Sequence, residues 1–414
     1  MEEKRPKIEN GIDILIKGDK IDRIGNNIEE NVDKIIDATS KIVMPGLINT
    51  HSHIPMSIFR ETLDGYELQE WLEQQIWPME DKLQNEDIYY ATLLSCIEMI
   101  KTGTTTINDM YSMADDIIKA VKETGVRIQT TRTLMDLDGT DEERLKELEE
   151  LILKYRNDDI VTLNIGIHGF YTTNDKYIQK CVELAKKYNL PIHIHFCENS
   201  KEVQDIRNIY NVQSPVELIK RYFKGMHVIL AHCVKLTDKE IEELSDEDIY
   251  VSHCPVSNLK LGCGVAKISK MMQKNIVVSL GTDGQGSGSN LDLFEIMKFT
   301  ALLQKGINEE PKNMSAYEVL KMATVNGAKT LCLENEVGSI KEGKKADIII
   351  LDLNTVLAQP ENDVFAEIVY NVKGNNVETT IVNGKIVMED KKLKISNEEE
   401  IYKKCNNIIE RIRV

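Results

Sequence analysis

The chain has 414 residues, 42% hydrophobic and 29% charged, enough for a buried core in one large domain beside a small one. Its 68 acidic against 51 basic side chains give a formal net charge of −17, which repels phosphate backbones and anionic lipid and so argues against nucleic acid or a membrane as partner. No apolar run nears the roughly 18 residues needed to cross a bilayer, and Met1-Glu2-Glu3-Lys4-Arg5 leads into no signal-peptide core, so the expected location is cytoplasmic.

Residues 11 to 43 hold short alternating strands with turns at Gly18-Asp19-Lys20 and Gly25-Asn26-Asn27. From about residue 46 to 336, short β-branched runs pair with longer charged segments. The first run ends at His53. The others are Thr104 to Asn108, Val126 to Thr131, Ile160 to Ile167, Leu190 to His195, His227 to His232, Asp248 to His253 and Ile276 to Asp283. Between them, Glu142 to Tyr155 and Asp175 to Tyr188 carry apolar residues at helical spacing.

Eight strands alternating with helices predict a (β/α)8 TIM barrel within the α/β class, with a doubly wound open sheet as the alternative. Residues 344 to 388 return to short strands, and about 397 to 414 read as a terminal helix. Neither end forms a stable sheet alone, so the two are expected to pair into a small β-sandwich domain. The expected division is 1–44 and 337–414 for that domain and 45–336 for the barrel. The eight cysteines contain no CxxC pair and mostly sit in apolar runs, which predicts free, buried thiols.

In a barrel, side chains at the C-terminal strand ends converge on one mouth. His51 and His53 share a face because successive residues of a strand alternate. They end the first strand, His195 the fifth, His232 the sixth and Asp283 the eighth. Three imidazoles and a carboxylate suit a divalent ion, zinc first, with iron or manganese as alternatives, and such an ion lowers the pKa of a bound water toward roughly 7. Strand four offers no lysine to bridge a second metal, so one ion is expected. His193 and His227 lie earlier on their strands and are expected to be hydrogen-bonded packing residues. Glu198, three residues past His195, reads as a proton carrier, or else as the acid of a helix N-terminus.

These residues resemble the amidohydrolase superfamily and, within it, the 5-methylthioadenosine/S-adenosylhomocysteine and 5'-deoxyadenosine deaminases. The carriers are Pro45 to His53, Trp77-Pro78-Met79-Glu80, His193 to Glu198, Ser252 to Leu261 and Gly281-Thr282-Asp283-Gly284. The resemblance implies metal ligands His51, His53, His195 and Asp283, with one Zn2+ per subunit. It implies substrate contacts at Glu80, Arg132, His168, Glu198 and Asp283, with Asp283 and His232 flanking the attacking water and Glu198, His232 and Asp283 catalytic. A second family arginine corresponds to Arg144, whose charged segment reads equally as solvated, and Trp71 reads as a buried packing aromatic, with a place against the ligand as the alternative. Self-association into a homo-oligomer is also implied.

Two departures stand out: the first strand looks shortened, and Gly284 to Asn290 is rich enough in glycine to predict a mobile rim. The expected reaction is hydrolytic deamination of a 5'-modified adenosine, a small-molecule nucleoside. The competing readings are an amidohydrolase acting on guanine, cytosine or an s-triazine, and a non-catalytic scaffold.

Overall fold

The computed structural model describes residues 8–62, 65–137, 139–360, 362–395 and 397–413. A hairpin of β1 (Asp13–Lys17) and β2 (Lys20–Gly25) is followed by β3 (Ile42–Pro45) and the barrel strands. These are β4 (Leu47–Ser52), β5 (Thr104–Asp109), β6 (Arg127–Thr130), β7 (Val161–Leu163), β8 (Ile165–Ile167), β9 (Ile192–Phe196), β10 (Val228–His232), β11 (Ile249–His253) and β12 (Val277–Leu280). Their isoleucines and valines are buried almost throughout, as expected of parallel strands covered on both faces.

Two parallel ladders, β4-β5-β6-β7 and β8-β9-β10-β11-β12, make up the wall. β7 and β8 are the predicted fourth strand interrupted at Asn164, whose N–H still donates to the Thr130 carbonyl at 3.0 Å. At the other seam Thr50 Oγ1 donates to the Leu280 carbonyl, and the Thr282 and Asp283 N–H groups both reach the His51 carbonyl, at 3.2 and 3.1 Å. With both seams joined the wall is a distorted barrel, and the open-sheet alternative is excluded.

The outer helices follow the predicted periodicity. Asp175–Tyr188 buries Tyr177, Ile178, Cys181, Val182, Leu184 and Ala185 on one stripe, starts at Asn174, whose side chain accepts from the Tyr177 N–H, and stops at Asn189 in the left-handed region. Asp141–Tyr155 begins one residue before its predicted start, and the terminal helix spans Glu398–Ile412 behind an Asn397 cap. Among the described residues no helix is long and apolar enough to cross a membrane. All eight cysteines are free, and only Cys332 is exposed.

The chain termini do pair. β3 lies antiparallel to β13 (Ile348–Leu351), which continues through β14 (Val377–Val382), β15 (Lys385–Glu389) and β16 (Lys392–Leu393). The β1–β2 hairpin packs Ile14, Ile16, Ile21 and Ile24 against Ala346, Ile348 and Ile381. Arg127 at the start of β6 clasps Asp347 with Nε at 3.0 Å and Nη2 at 3.1 Å, while its Nη1 donates to the Asp159 carbonyl at 2.8 Å. This buried pair ties the barrel floor to the terminal sheet.

Candidate active site

His51 and His53 leave β4 on the inward face, as the alternation requires. The Nδ1–H of His53 donates to the Met110 carbonyl and that of His195 to the His168 carbonyl, both at 2.6 Å. In its neutral form each ring therefore carries its lone pair on Nε2, and the two Nε2 atoms face each other at 3.2 Å. Lone pairs that close repel unless a proton or a metal cation lies between them. His51 Nε2 is buried with no partner, 3.7 Å from Asp283 Oδ1, which lies 3.2 Å from His53 Nε2.

His51, His53 and Asp283 present donor atoms within 4.8 Å of one another, and His51, His195 and His232 form a second such set. Unpartnered imidazole nitrogens beside a buried carboxylate fit a divalent ion of borderline softness. Burial first, and then the neighbouring imidazoles, hold His51 and His195 well below the usual histidine range, in the neutral form that a ligand needs. Burial pushes the Asp283 carboxyl upward, but the His53 hydrogen bond and the surrounding imidazoles outweigh it and hold it well below the usual range; burial lowers His53 in turn, but that same bond to Asp283 lifts it to about 9, so a metal bound here would displace the proton the pair shares.

The structure corrects the expected position of Asp283. β12 ends at Leu280, and the aspartate stands three residues beyond, at φ 63°. Gly281 permits this turn-over: a Cβ there would sit 2.7 to 2.9 Å from Ser252 Oγ, Cys254 Sγ and His51 Cβ. Asp283 Oδ2 accepts from Ser257 Oγ and Ser287 Oγ, and Oδ1 from the Gly284 N–H at 2.8 Å.

Glu198 follows Cys197, which is held at φ 51° beyond β9. Both their N–H groups donate to Glu202, at 2.8 and 2.6 Å, and Glu202 lies in the first turn of the helix Ser200–Tyr210. The helix N-terminal role considered for Glu198 thus belongs to Glu202. Glu198 instead faces inward, with Oε1 3.7 Å from His232 Nδ1. Burial, and then the charges of Asp283 and Glu202, push its carboxyl well above the usual range, the direction a proton donor needs. His232, at φ 74°, is held neutral by burial, which lowers it to about 4.

The outer residues gather around the same mouth. Glu80, at the end of the helix Trp77–Glu80, accepts the Tyr111 hydroxyl proton, and burial raises its carboxyl. His168 adjoins β8, with Nδ1 3.1 Å from Thr172 Oγ1 and its ring against Tyr171. Arg132 pairs through Nε with Glu147 at 2.5 Å and through Nη1 with Ser112 Oγ at 3.2 Å. A cleft of about 390 Å³ shares Tyr171 and is lined also by Leu72, Trp77, Lys201, Asp205 and Ile209.

Of the two roles open for Arg144 the solvated one fails: it is buried, with Nε on Thr140 Oγ1 at 2.7 Å and Nη1 on the Thr133 carbonyl at 3.3 Å. Gly284 to Asn290 is no mobile rim, since residues 284–288 are buried and Gln285–Gly288 forms a helical turn. Its glycines serve close packing: a Cβ on Gly286 would meet Trp71 at 2.9 Å. Trp71 is itself a buried packing aromatic.

His227 packs as expected, bonding the Thr330 carbonyl and stacking on Tyr250. His193 packs too, but its Nε2 shares a proton with His51 Nδ1 at 2.9 Å, so it also orients that ring. The alternation argument applied to His51 and His53 would have found it, because His193 and His195 share a face for the same reason. Ser257, Asn258, Ser287, Glu202 and Tyr111 carried no such signal.

The pattern of the Amidohydrolase family matches residues 42–387. The chain is 42% identical over 407 residues to a 5'-deoxyadenosine deaminase of Methanobrevibacter smithii, covering 97% of this chain and 93% of that one. It is 39% identical over 413 residues to a 5-methylthioadenosine/S-adenosylhomocysteine deaminase of Caldanaerobacter subterraneus subsp. tengcongensis, covering 97% and 95%. A solved adenosine deaminase from Xanthomonas campestris with bound zinc superposes with a TM-score of 0.94 at 28% identity, covering 97% of this chain and 94% of that one. On this evidence the chain belongs to the amidohydrolase family.

Proposed function

We propose that the protein is a metal-dependent aminohydrolase. It converts 5'-modified adenosines (5'-deoxyadenosine, 5'-methylthioadenosine, S-adenosylhomocysteine and adenosine) to the inosine analogues with release of ammonia. The observation that carries this reading is the close grouping of His51, His53 and Asp283, with His195 Nε2 3.2 Å from His53 Nε2 and Glu198 grouped with His232 and the same Asp283. Similarity to deaminases named for these nucleosides supports the substrate class. The zinc in the Xanthomonas structure supports zinc as the metal, and we take it as one Zn2+ per subunit held by His51, His53, His195 and Asp283.

The ion supplies Lewis acidity and a water made acidic enough to attack near neutral pH. Asp283 and His232 flank that water and aim it at C6 of the purine. Glu198 delivers its proton to N1, so the electron pair displaced from C6 settles on a ring nitrogen. The proton that water gave up passes through Asp283 to the amine, the C6–N bond breaks to release ammonia, and the remaining hydroxyl proton returns to Glu198 as the C6 carbonyl forms. Glu80 accepts hydrogen bonds from the ribose hydroxyls, while His168 and Arg132 hold the ring edge or the 5'-group. The cleft beyond Tyr171 offers that group room.

The same reading divides the chain near 44/45 and 336/337. The terminal hairpin and sheet then form one small β-sandwich, and residues 45–336 form the barrel. It also takes the enzyme to be a cytoplasmic homo-oligomer.

The test follows adenine absorbance and ammonia with a series of 5'-substituted adenosines and a panel of guanine, cytosine and s-triazines, with and without chelator. Expected is deamination confined to the nucleosides, stopped by chelator and restored by zinc. Turnover of the panel compounds alone would overturn the substrate class, and turnover indifferent to chelator the metal.

A further inference from the structure

Glu198, His232 and Asp283 come from three different strand ends, yet one short helix touches them all. Pro255–Lys260 follows β11, and its Ser257 holds Asp283 while the adjacent Asn258 reaches the other two. Asn258 is fully buried, with Nδ2 2.9 Å from His232 Nδ1 and 3.4 Å from Glu198 Oε1. Its backbone is pinned on both sides, the N–H to the Cys254 carbonyl at 3.1 Å and the carbonyl to the Cys263 N–H at 2.7 Å.

A neutral imidazole has one N–H, and the partner of one ring nitrogen decides where it sits. An amide nitrogen donates only. With Asn258 Nδ2 on Nδ1, the His232 proton must reside on Nε2, and that atom can then neither coordinate a cation nor accept a proton. The distinction matters because His51, His195 and His232 also form a set able to hold a metal.

We infer that Asn258 is a positioning residue that locks His232 in the Nε2–H tautomer. His232 is thereby kept out of the ligand set and acts as a hydrogen-bond donor to the attacking water, while the second amide proton of Asn258 steadies Glu198. The inference rests on the proposed reading insofar as that water lies between His232 and Asp283.

The test uses zinc-loaded protein labelled with 15N in the histidine rings, with the His232 signals assigned by their loss in His232→Gln. In the wild type, Nε2 is expected as the protonated nitrogen and Nδ1 as the bare one. In Asn258→Asp the carboxylate accepts from Nδ1–H, and the pattern reverses. The kcat should then fall by about 10²-fold with KM changed less than about threefold. Asn258→Leu, which removes the donor and offers no acceptor, should leave both tautomers of His232 populated, and it serves alone if the aspartate variant does not fold, an unchanged Nε2–H ring in it overturning the inference. A wild-type Nδ1–H pattern, or a ring pattern unchanged in Asn258→Asp, would overturn the inference. Ring signals and zinc content are read without substrate. A protein inactive on every adenosine would therefore count against the proposed function while leaving the tautomer result standing.

Discussion

The two ends of the barrel bury charge equally deeply and use it in opposite ways. At the floor, Arg127 has Nε, Nη1 and Nη2 all hydrogen-bonded, and Asp347 accepts a further bond from the Asn383 N–H at 2.8 Å. At the mouth, His51 Nε2, Asn258 Oδ1 and both ring nitrogens of His253 have no hydrogen-bond partner among the described residues. There too the backbone at Cys197, His232, Cys233 and Asp283 takes positive φ, a conformation disfavoured for side chains with a Cβ. A satisfied pair contributes a fixed joint, whereas unpartnered donors and strained turns persist only where the surrounding fold over-determines them. The floor is built for stability and the mouth for chemistry.

Four experiments would break or refine that contrast. Removing the ion should act most strongly, abolishing turnover and lowering Tm, since a ligand at 1,000 times its Kd stabilises the native state by about 4 kcal/mol. Chelated protein that unfolds at the same temperature and still turns over would show that the mouth is no metal centre. Next, Glu198→Gln should lower kcat by about 10²- to 10⁴-fold while Tm moves little. Because the acid must carry its proton to act, the wild-type rate should fall as pH rises through a pKa lifted well above the ordinary carboxylate range. A pH–rate profile that keeps this basic limb in the glutamine variant would assign it to another group.

At the floor the signs invert. Arg127→Met leaves Asp347 buried without its partner and should cost about 3 to 5 kcal/mol of stability in urea melts, with kcat per folded molecule unchanged. A fall in kcat at constant stability would erase the division of labour. The smallest effect is expected of Glu80→Ala, which should slow nucleosides by about 1.5 to 3 kcal/mol of lost hydrogen bonding and leave any free base untouched. Equal losses on both would remove the ribose contact.

Much of this was legible in advance where it depended on chain period. Strand alternation put His51 and His53 on one face, and helical spacing located Asp175–Tyr188 to the residue. Period says nothing, however, about a residue on a loop. Asp283 was read at a strand end and stands beyond one, since only the close approach of Ser252, Cys254 and His51 to Gly281 shows why the chain turns there. Ser257 and Asn258 lie in a motif that was recognised without a role, because their partners are 26 to 60 residues away in sequence. Arg144 stayed undecided for a similar reason: a charged segment reads as solvated or inward until its neighbours are in place.

By itself the amino-acid order determined the alternation of strand and helix, the inward histidines and the choice of ligand chemistry, because these follow from backbone geometry and side-chain type over a few residues. Tertiary structure decided which ring nitrogens meet backbone carbonyls and which face one another, which glutamate caps a helix and which faces the histidines, and that Arg127 meets Asp347 across 220 residues. Those outcomes depend on hydrogen-bond partners and burial that exist only once the barrel has closed.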